Sequence, residues 1–269
     1  MMRTRCVGAA ALLFVSSVWA ALTPSDVENA LKNASIIPEY ISDFTPQGLL
    51  DIIYIDPATN KSISINPGKA ISVNQTVVRP QYAVTSQNTP LGGQNYVLIM
   101  FDPDVPTPAN RSLAQVRHMI AQVQLGNDTT ALASATGLVL TNNTPAVSEY
   151  INPQPPPGDA HRYTVVLYHE PASFASQVGR FVNASSSIFK FDARAFAEAL
   201  GLGDPVVSNF FLSGPNTPDA TPDESNSTAT GAGASPTNSV TGAAGRGGVG
   251  SSVAATVVAV VVSLGMVAW

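Results

Sequence analysis

The sequence predicts a mainly β domain, and three observations carry that expectation. First, Tyr96–Phe101, Val116–Leu125 and Tyr163–Tyr168 are short apolar runs rich in β-branched and aromatic residues, the signature of strands buried on both faces. Second, loops rich in proline and glycine separate them. Third, helix signals are few. Many strands with few helices argue for mainly antiparallel β structure.

Near the start of the chain, Thr23-Pro24-Ser25-Asp26 reads as a helix start, with Thr23 as N-cap and Pro24 at the first helical position; the helix runs to about Asn33. Pro38 and Pro46 interrupt regular structure in the next segment. Leu49–Ile55 is a strand, with a turn over Asp56-Pro57-Ala58-Thr59-Asn60, and Ser62–Ile65 alternates like a half-buried strand. After the three buried runs, Asp192 caps a helix over Ala193–Leu200, with Gly201 just beyond its end. Phe210-Phe211-Leu212 is a last strand. From Ser213 to Ser252 the composition falls to Gly, Ala, Ser, Thr, Pro and Asn, which predicts a flexible stalk.

Both ends read as processing signals. Residues 1–20 place Arg3 and Arg5 ahead of an apolar run from Val7 to Val15, with Val18 and Ala20 positioned like a cleavage site. This is a secretory signal; the alternative, a first membrane helix, needs a longer run. Residues 253–269 form an uncharged apolar tail whose 17 residues rise about 25 Å as a helix, short of a bilayer core. Small residues, a polar spacer and an apolar tail match the order of a glycosylphosphatidylinositol (GPI) attachment signal, with the attachment residue expected within 238–244; a tail-anchored helix is the alternative. The expected organisation is a signal over 1–20, a folded domain over 21–212, a stalk over 213–252 and a removed tail. The expected location is the secretory pathway and then the cell surface, anchored to plasma membrane or cell wall.

Without Arg3, Arg5 and Arg246, 10 basic residues face 18 acidic ones, a net charge of −8, which argues against a nucleic-acid partner. The only cysteine is Cys6 in the signal, so the mature chain has no thiol nucleophile, thiolate metal site or intramolecular disulfide. Eight N-x-S/T sequons, at Asn33, Asn60, Asn74, Asn110, Asn127, Asn142, Asn183 and Asn226, predict glycans on exposed loops.

Gly245-Arg246-Gly247-Gly248-Val249-Gly250 matches a dinucleotide fingerprint but comes after no strand, so it is linker composition, and no cofactor is expected. Three other segments carry chemistry. Asp102-Pro103-Asp104-Val105-Pro106 comes directly after a buried strand and sets two carboxylates on one side of an extended loop. His118 lies in the strand Val116–Leu125. The run from Tyr150 through Asn152-Pro153-Gln154-Pro155-Pro156-Pro157-Gly158 to His161-Arg162-Tyr163 puts His161 and Tyr163 on one face. Taken singly, these are turn chemistry, a structural histidine and a rigid proline loop.

In this order the three segments resemble the phosphatidylethanolamine-binding protein family. Ile36-Ile37-Pro38 with Phe44-Thr45-Pro46 is similar to the entry segment of its fungal, carboxypeptidase-inhibitor-like branch. The stretches Phe191–Phe196 and Gly203–Phe211 are similar to its closing segment. The likeness spans residues 24–212. It implies a large antiparallel sheet with a smaller sheet against it, Greek-key connections and short peripheral helices. It also implies a small cavity for phosphate, a phospholipid headgroup or a similar anion, formed by Asp102, Asp104, His118, His161 and Tyr163 with Pro155 and Pro156 shaping the rim. This sequence departs from the family pattern in carrying Asn152 and Gln154 where glycines are usual, in a loop one residue short before His161, and in Arg117 and Met119 where an aromatic flanks the histidine.

The expected chemistry is binding. Asp102 is expected to orient one imidazole, a neighbouring carboxylate to favour the charged imidazoles, and Asp104 to meet a ligand ammonium. No serine, threonine or cysteine nucleophile accompanies the motifs and no metal-ligand spacing is present, so neither catalysis nor a metal is expected. The alternative expectation is inhibition of a serine carboxypeptidase, with the membrane reached through the lipid anchor.

Overall fold

A computed structural model of the chain describes residues 22–86, 91–126, 137–142, 144–183 and 185–223. All belong to the first of two compact units, Met1–Ser227; the second, Thr228–Trp269, lies outside them. The expected signal, attachment site and apolar tail, and the sequons at Asn127 and Asn226, therefore also lie outside the described residues.

Helix α1, Pro24–Asn33, starts where the sequence predicts. Asp26 N donates to Thr23 Oγ1 at 3.2 Å and Thr23 N to Asp26 Oδ2 at 2.9 Å, a reciprocal cap. Its buried residues are Val27 and Leu31. The strands among the described residues are β1 Gly48–Ile55, β2 Ser62–Ile65, β3 Lys69–Ala70, β4 Gln81–Ser86, β5 Asn95–Asp102, β6 Val116–Leu125, β7 Leu138–Asn142, β8 His161–His169 and β9 Val207–Ser213. Helix α2, Phe174–Gln177, and helix α3, Ala193–Ala199, complete the order. α3 is capped as expected, Ala195 N donating to Asp192 Oδ1 at 2.9 Å, and Gly201 lies just beyond it at φ +65°, the left-handed region glycine occupies freely.

The strands connect in the order β2-β1-β4-β7-β6-β5-β8-β9-β3, antiparallel throughout except that β3 runs parallel to β9. β7 pairs with both β4 and β6, so the smaller β2-β1-β4 group continues into the larger sheet rather than standing apart. Gly48 is required where β1 pairs with β4, because a Cβ there would lie 2.1 Å from the Thr85 carbonyl oxygen of β4.

β5 is buried from Tyr96 to Asp102. Tyr96, Leu98 and Met100 join Ile52, Tyr54 and Phe211 in a core that unites β1 and β2 with β5, β8 and β9. Val97, Ile99 and Phe101, on the other face, pack with α1, α3 and the 36–44 segment. Asn209 of β9, 3% exposed, ties the two strand groups together: its side-chain amide donates to Leu50 O at 2.8 Å and Ile65 O at 3.0 Å, and its Oδ1 accepts from Phe210 N at 2.7 Å. Truncation removes the side-chain donor shared by these two buried carbonyls and the acceptor of Phe210 N. Asn209→Ala is therefore expected to destabilise the protein by about 3 kcal/mol, read as a lowered urea midpoint with unchanged slope.

The first residues of the expected stalk are not free. Ala220 N donates to Gln75 Oε1 at 2.8 Å and Gln75 Nε2 to Ala220 O at 3.0 Å. Asp223 N donates to Ser62 O at 2.7 Å, and Asp223 Oδ2 accepts from Ser64 N at 2.9 Å and Ser64 Oγ at 2.7 Å. Residues 214–223 thus dock on the domain, whose described extent passes 212. Composition cannot foresee this, because the hydrogen bonds run through backbone groups, the Gln75 amide and one carboxylate, and the apolar contribution is a single small side chain, Ala220, packed against the core.

Candidate functional site

The Asp-Pro-Asp loop leaves the end of β5 in a turn held by its own first residue, Asp102 Oδ1 accepting from Asp104 N at 2.8 Å. The other oxygen, Oδ2, lies 2.8 Å from His161 Nδ1 at the start of β8. The neighbouring strand is irregular: Met119 faces Met100 and Arg117 faces Phe101, so His118 is the extra residue of a bulge in β6. Its Nδ1 lies 2.6 Å from Ile151 O; a carbonyl only accepts, so the hydrogen is on Nδ1. Tyr163, two residues beyond His161 on the same face, is parallel to its ring at 6.5 Å between centroids, and meets the edge of His118 at 5.1 Å.

These groups surround one cavity of about 200 Å³, lined by Asp102, Val105, Val116, His118, Ile151, Asn152, Gln154, Pro155, Pro156, His161, Tyr163, Ile188 and Phe189. The structure therefore brings together Asp102, His118, Pro155, Pro156, His161 and Tyr163. Sequence reasoning misses Ile188 and Phe189: they sit in a segment without strand or helix pattern, which the bond from Arg117 N to Ile188 O, at 2.9 Å, carries to the cavity wall.

Asp104 is a correction. It is absent from the lining and 1% exposed. Arg162 holds it through backbone N at 2.8 Å, Nε at 2.9 Å and Nη2 at 2.7 Å, and Arg111 Nε lies 3.2 Å away. Arg162 Nη1 also donates to Ala34 O, which anchors the end of α1 to this ion pair. Burial alone would raise the Asp104 pKa, but the Arg162 hydrogen bonds and charge outweigh it and hold the carboxyl below its ordinary value. Its carboxylate is engaged inside the protein and has no place for a ligand ammonium.

His118 is a second correction. The sequence leads to the expectation that a carboxylate favours its charged form, yet burial pulls its pKa below the ordinary histidine value, outweighing the Ile151 carbonyl and Asp102. At neutral pH its ring carries hydrogen on Nδ1 only, which leaves Nε2 a lone pair. Burial and the Asp102 charge push the Tyr163 phenol far above its ordinary value, so it remains a hydrogen-bond donor. Both imidazoles spend Nδ1 on the protein, and Nε2 is what each has left to offer.

Among the described residues no cluster of His, Cys, Asp and Glu is arranged to hold a metal ion. No helix among them is long and apolar enough to cross a membrane.

A family model described as phosphatidylethanolamine-binding protein matches residues 57–211. The Arabidopsis thaliana Protein TWIN SISTER of FT is 31% identical over 163 residues, 58% of this chain and 82% of its own. A 26 kDa secreted antigen of Toxocara canis is 30% identical over 154 residues, 56% of this chain and 53% of its own. Among solved structures, a carboxypeptidase Y inhibitor complexed with its cognate proteinase superposes with a TM-score of 0.56 at 21% identity, covering 71% of this chain and 95% of that one.

Proposed function

The chain belongs to the phosphatidylethanolamine-binding protein family, and from that premise we propose that it is a binding protein whose cavity at Asp102, His118, His161 and Tyr163 takes a small anion of the phosphate-monoester or phospholipid-headgroup kind. The observation that carries the reading is the pairing of His161 with Asp102 at 2.8 Å on the wall of a cavity that also holds a phenol donor and a second imidazole. A carboxylate behind an imidazole fixes the ring's orientation, and an imidazole held beside a neutral phenol presents hydrogen-bonding groups suited to anionic oxygens. Among the described residues no serine, threonine or cysteine lines the cavity, which favours binding over nucleophilic catalysis. Pro155 and Pro156 keep its mouth rigid.

Calorimetric titration with phosphoethanolamine tests this. Saturable 1:1 binding that falls at least tenfold in His161→Ala is expected; equal heats with both proteins would reject the cavity.

A second reading is inhibition of a serine carboxypeptidase, placing the chain in the inhibitor-like branch. It is motivated by the likeness to the solved inhibitor and by the Ile36–Pro46 entry segment, which packs on the sheet through Ile36, Ile37 and Phe44. Assaying carboxypeptidase Y with the same two proteins separates the readings: inhibition that survives in His161→Ala points to protein contact outside the cavity.

On location, the reading is a glycosylated protein delivered through the secretory pathway and held at the surface by a GPI anchor. It rests on residues 1–20, 238–244 and 253–269 and on the sequons, of which Asn33, Asn60, Asn74, Asn110, Asn142 and Asn183 are exposed. Release from intact cells by a phosphatidylinositol-specific phospholipase C is the expected result; retention on the cells would count against the anchor.

A further inference from the structure

On the other side of Phe189 lies a larger depression of about 430 Å³, between β6 and the 181–199 segment, within the range of small-molecule sites. Arg117, the residue that departs from the family pattern beside His118, lines it and is 4% exposed. Its Nε donates to Ser148 Oγ at 3.0 Å and Nη1 to Ser187 O at 3.2 Å, and the guanidinium sits 5.8 Å from the centre of the Phe191 ring. Three of its five N–H groups have no partner, and no carboxylate pairs with it, among the described residues. Asp192, the one acidic residue in the lining, is turned to Ala195 N at 2.9 Å.

A largely buried cation without a counter-charge favours an anion at its open edge, and no Arg117 nitrogen is among the buried atoms left unpartnered, so its free N–H groups open onto the groove. The rest of the groove states what the anion must be attached to. Phe181 and Phe189 are 44% and 46% exposed, among the largest apolar side chains left open to solvent. Phe181 rests edge-on against Phe196 at 6.3 Å, and Phe191 lies 5.2 Å from Phe196. Lys190 stands at the rim.

We propose that this groove is a second binding site, which takes an amphiphile with one carboxylate head: the carboxylate pairs with Arg117 and the hydrocarbon chain covers Phe181 and Phe189. With Nε already spent, what Arg117 offers is its terminal N–H groups, which match the two oxygens of a carboxylate; a phosphate dianion, with more charge and more acceptors, calls for more donors. Phe189 is shared with the anion cavity, but Asp102, His118 and His161 play no part in the groove, so this site stands or falls apart from the cavity reading.

The test titrates the full chain with decanoate and with decan-1-ol, which share the hydrocarbon and differ in the head. Decanoate is expected to bind at least tenfold more tightly than decan-1-ol and to lose at least tenfold in Arg117→Gln, while phosphoethanolamine affinity stays unchanged. Equal affinity for acid and alcohol, no binding of decanoate, or unchanged decanoate affinity in Arg117→Gln would overturn the proposal. Should Arg117→Gln fail to fold, Phe181→Ser decides: at least a threefold loss of decanoate binding supports the site, and full retention rejects it.

Discussion

Arg162→Met is expected to destabilise the protein by about 3 kcal/mol, read from its urea or thermal midpoint. The substitution keeps much of the aliphatic stem but leaves Asp104, 1% exposed, without the two side-chain bonds that Arg162 supplies. The backbone N of residue 162 survives the change and Arg111 still reaches the carboxylate, which sets the loss at the low end for a broken buried pair. The pH dependence gives a second readout. In the wild type the Asp104 pKa lies below its ordinary value of 3.8, so its contribution is present above the unfolded carboxylate pKa and is lost as pH falls through the folded one. Without Arg162, burial prevails and raises that pKa, so the sign inverts. The gap between variant and wild type is then expected to narrow as pH drops from 7 towards 5. A gap that stays constant over that interval would show that Asp104 is not the carboxylate responsible.

Asp102→Asn is expected to weaken anion binding about 10–100-fold, the equivalent of one charge-assisted hydrogen bond. Two effects compete. Removing a negative charge from the cavity wall favours any anion. Removing the partner of His161 Nδ1, 2.8 Å away, takes away the hydrogen bond that orients this imidazole towards the anion. The second effect prevails because the carboxylate contacts the imidazole directly and the ligand only through it. Dimethyl phosphate, a monoanion across the whole range, keeps the ligand's charge fixed while the pH is varied. With its pKa lowered by burial, His118 is neutral in the free protein at neutral pH, and its charged form can add to anion binding only as the pH falls. Calorimetry from pH 5 to 8 on wild type and variant checks both points. Tighter binding in Asp102→Asn would mean that Asp102 acts as a repelling charge.

The elements legible in the sequence are those whose pattern is local. β5, β6 and β8 announce themselves as apolar runs because both faces are buried, and α1 because its cap is written in consecutive residues. β4 and β7 are not legible in this way: Gln81–Ser86 and Leu138–Asn142 are short and partly exposed, and neither alternates cleanly. β8 begins at His161 rather than Tyr163 because His161 pairs across to Ser213, a distant contact in sequence that no local pattern reports. The same limit governs the site. Asp102, His118, His161 and Tyr163 emerge from motif order. The capture of Asp104 by Arg162, the bulge that presents His118 and the wall made by Ile188 and Phe189 arise only when distant strands meet.

The docking of Asp223 on β2 has a consequence for the company the protein keeps. β2 is the terminal strand of the sheet order, and its outward Ser62 O and Ser64 N would otherwise invite another chain to pair. Asp223 occupies both, and Lys69 Nζ donates to Ser64 O at 2.8 Å. The protein thereby seals its own border against sheet-to-sheet aggregation, and a fragment ending at residue 212 would unseal it.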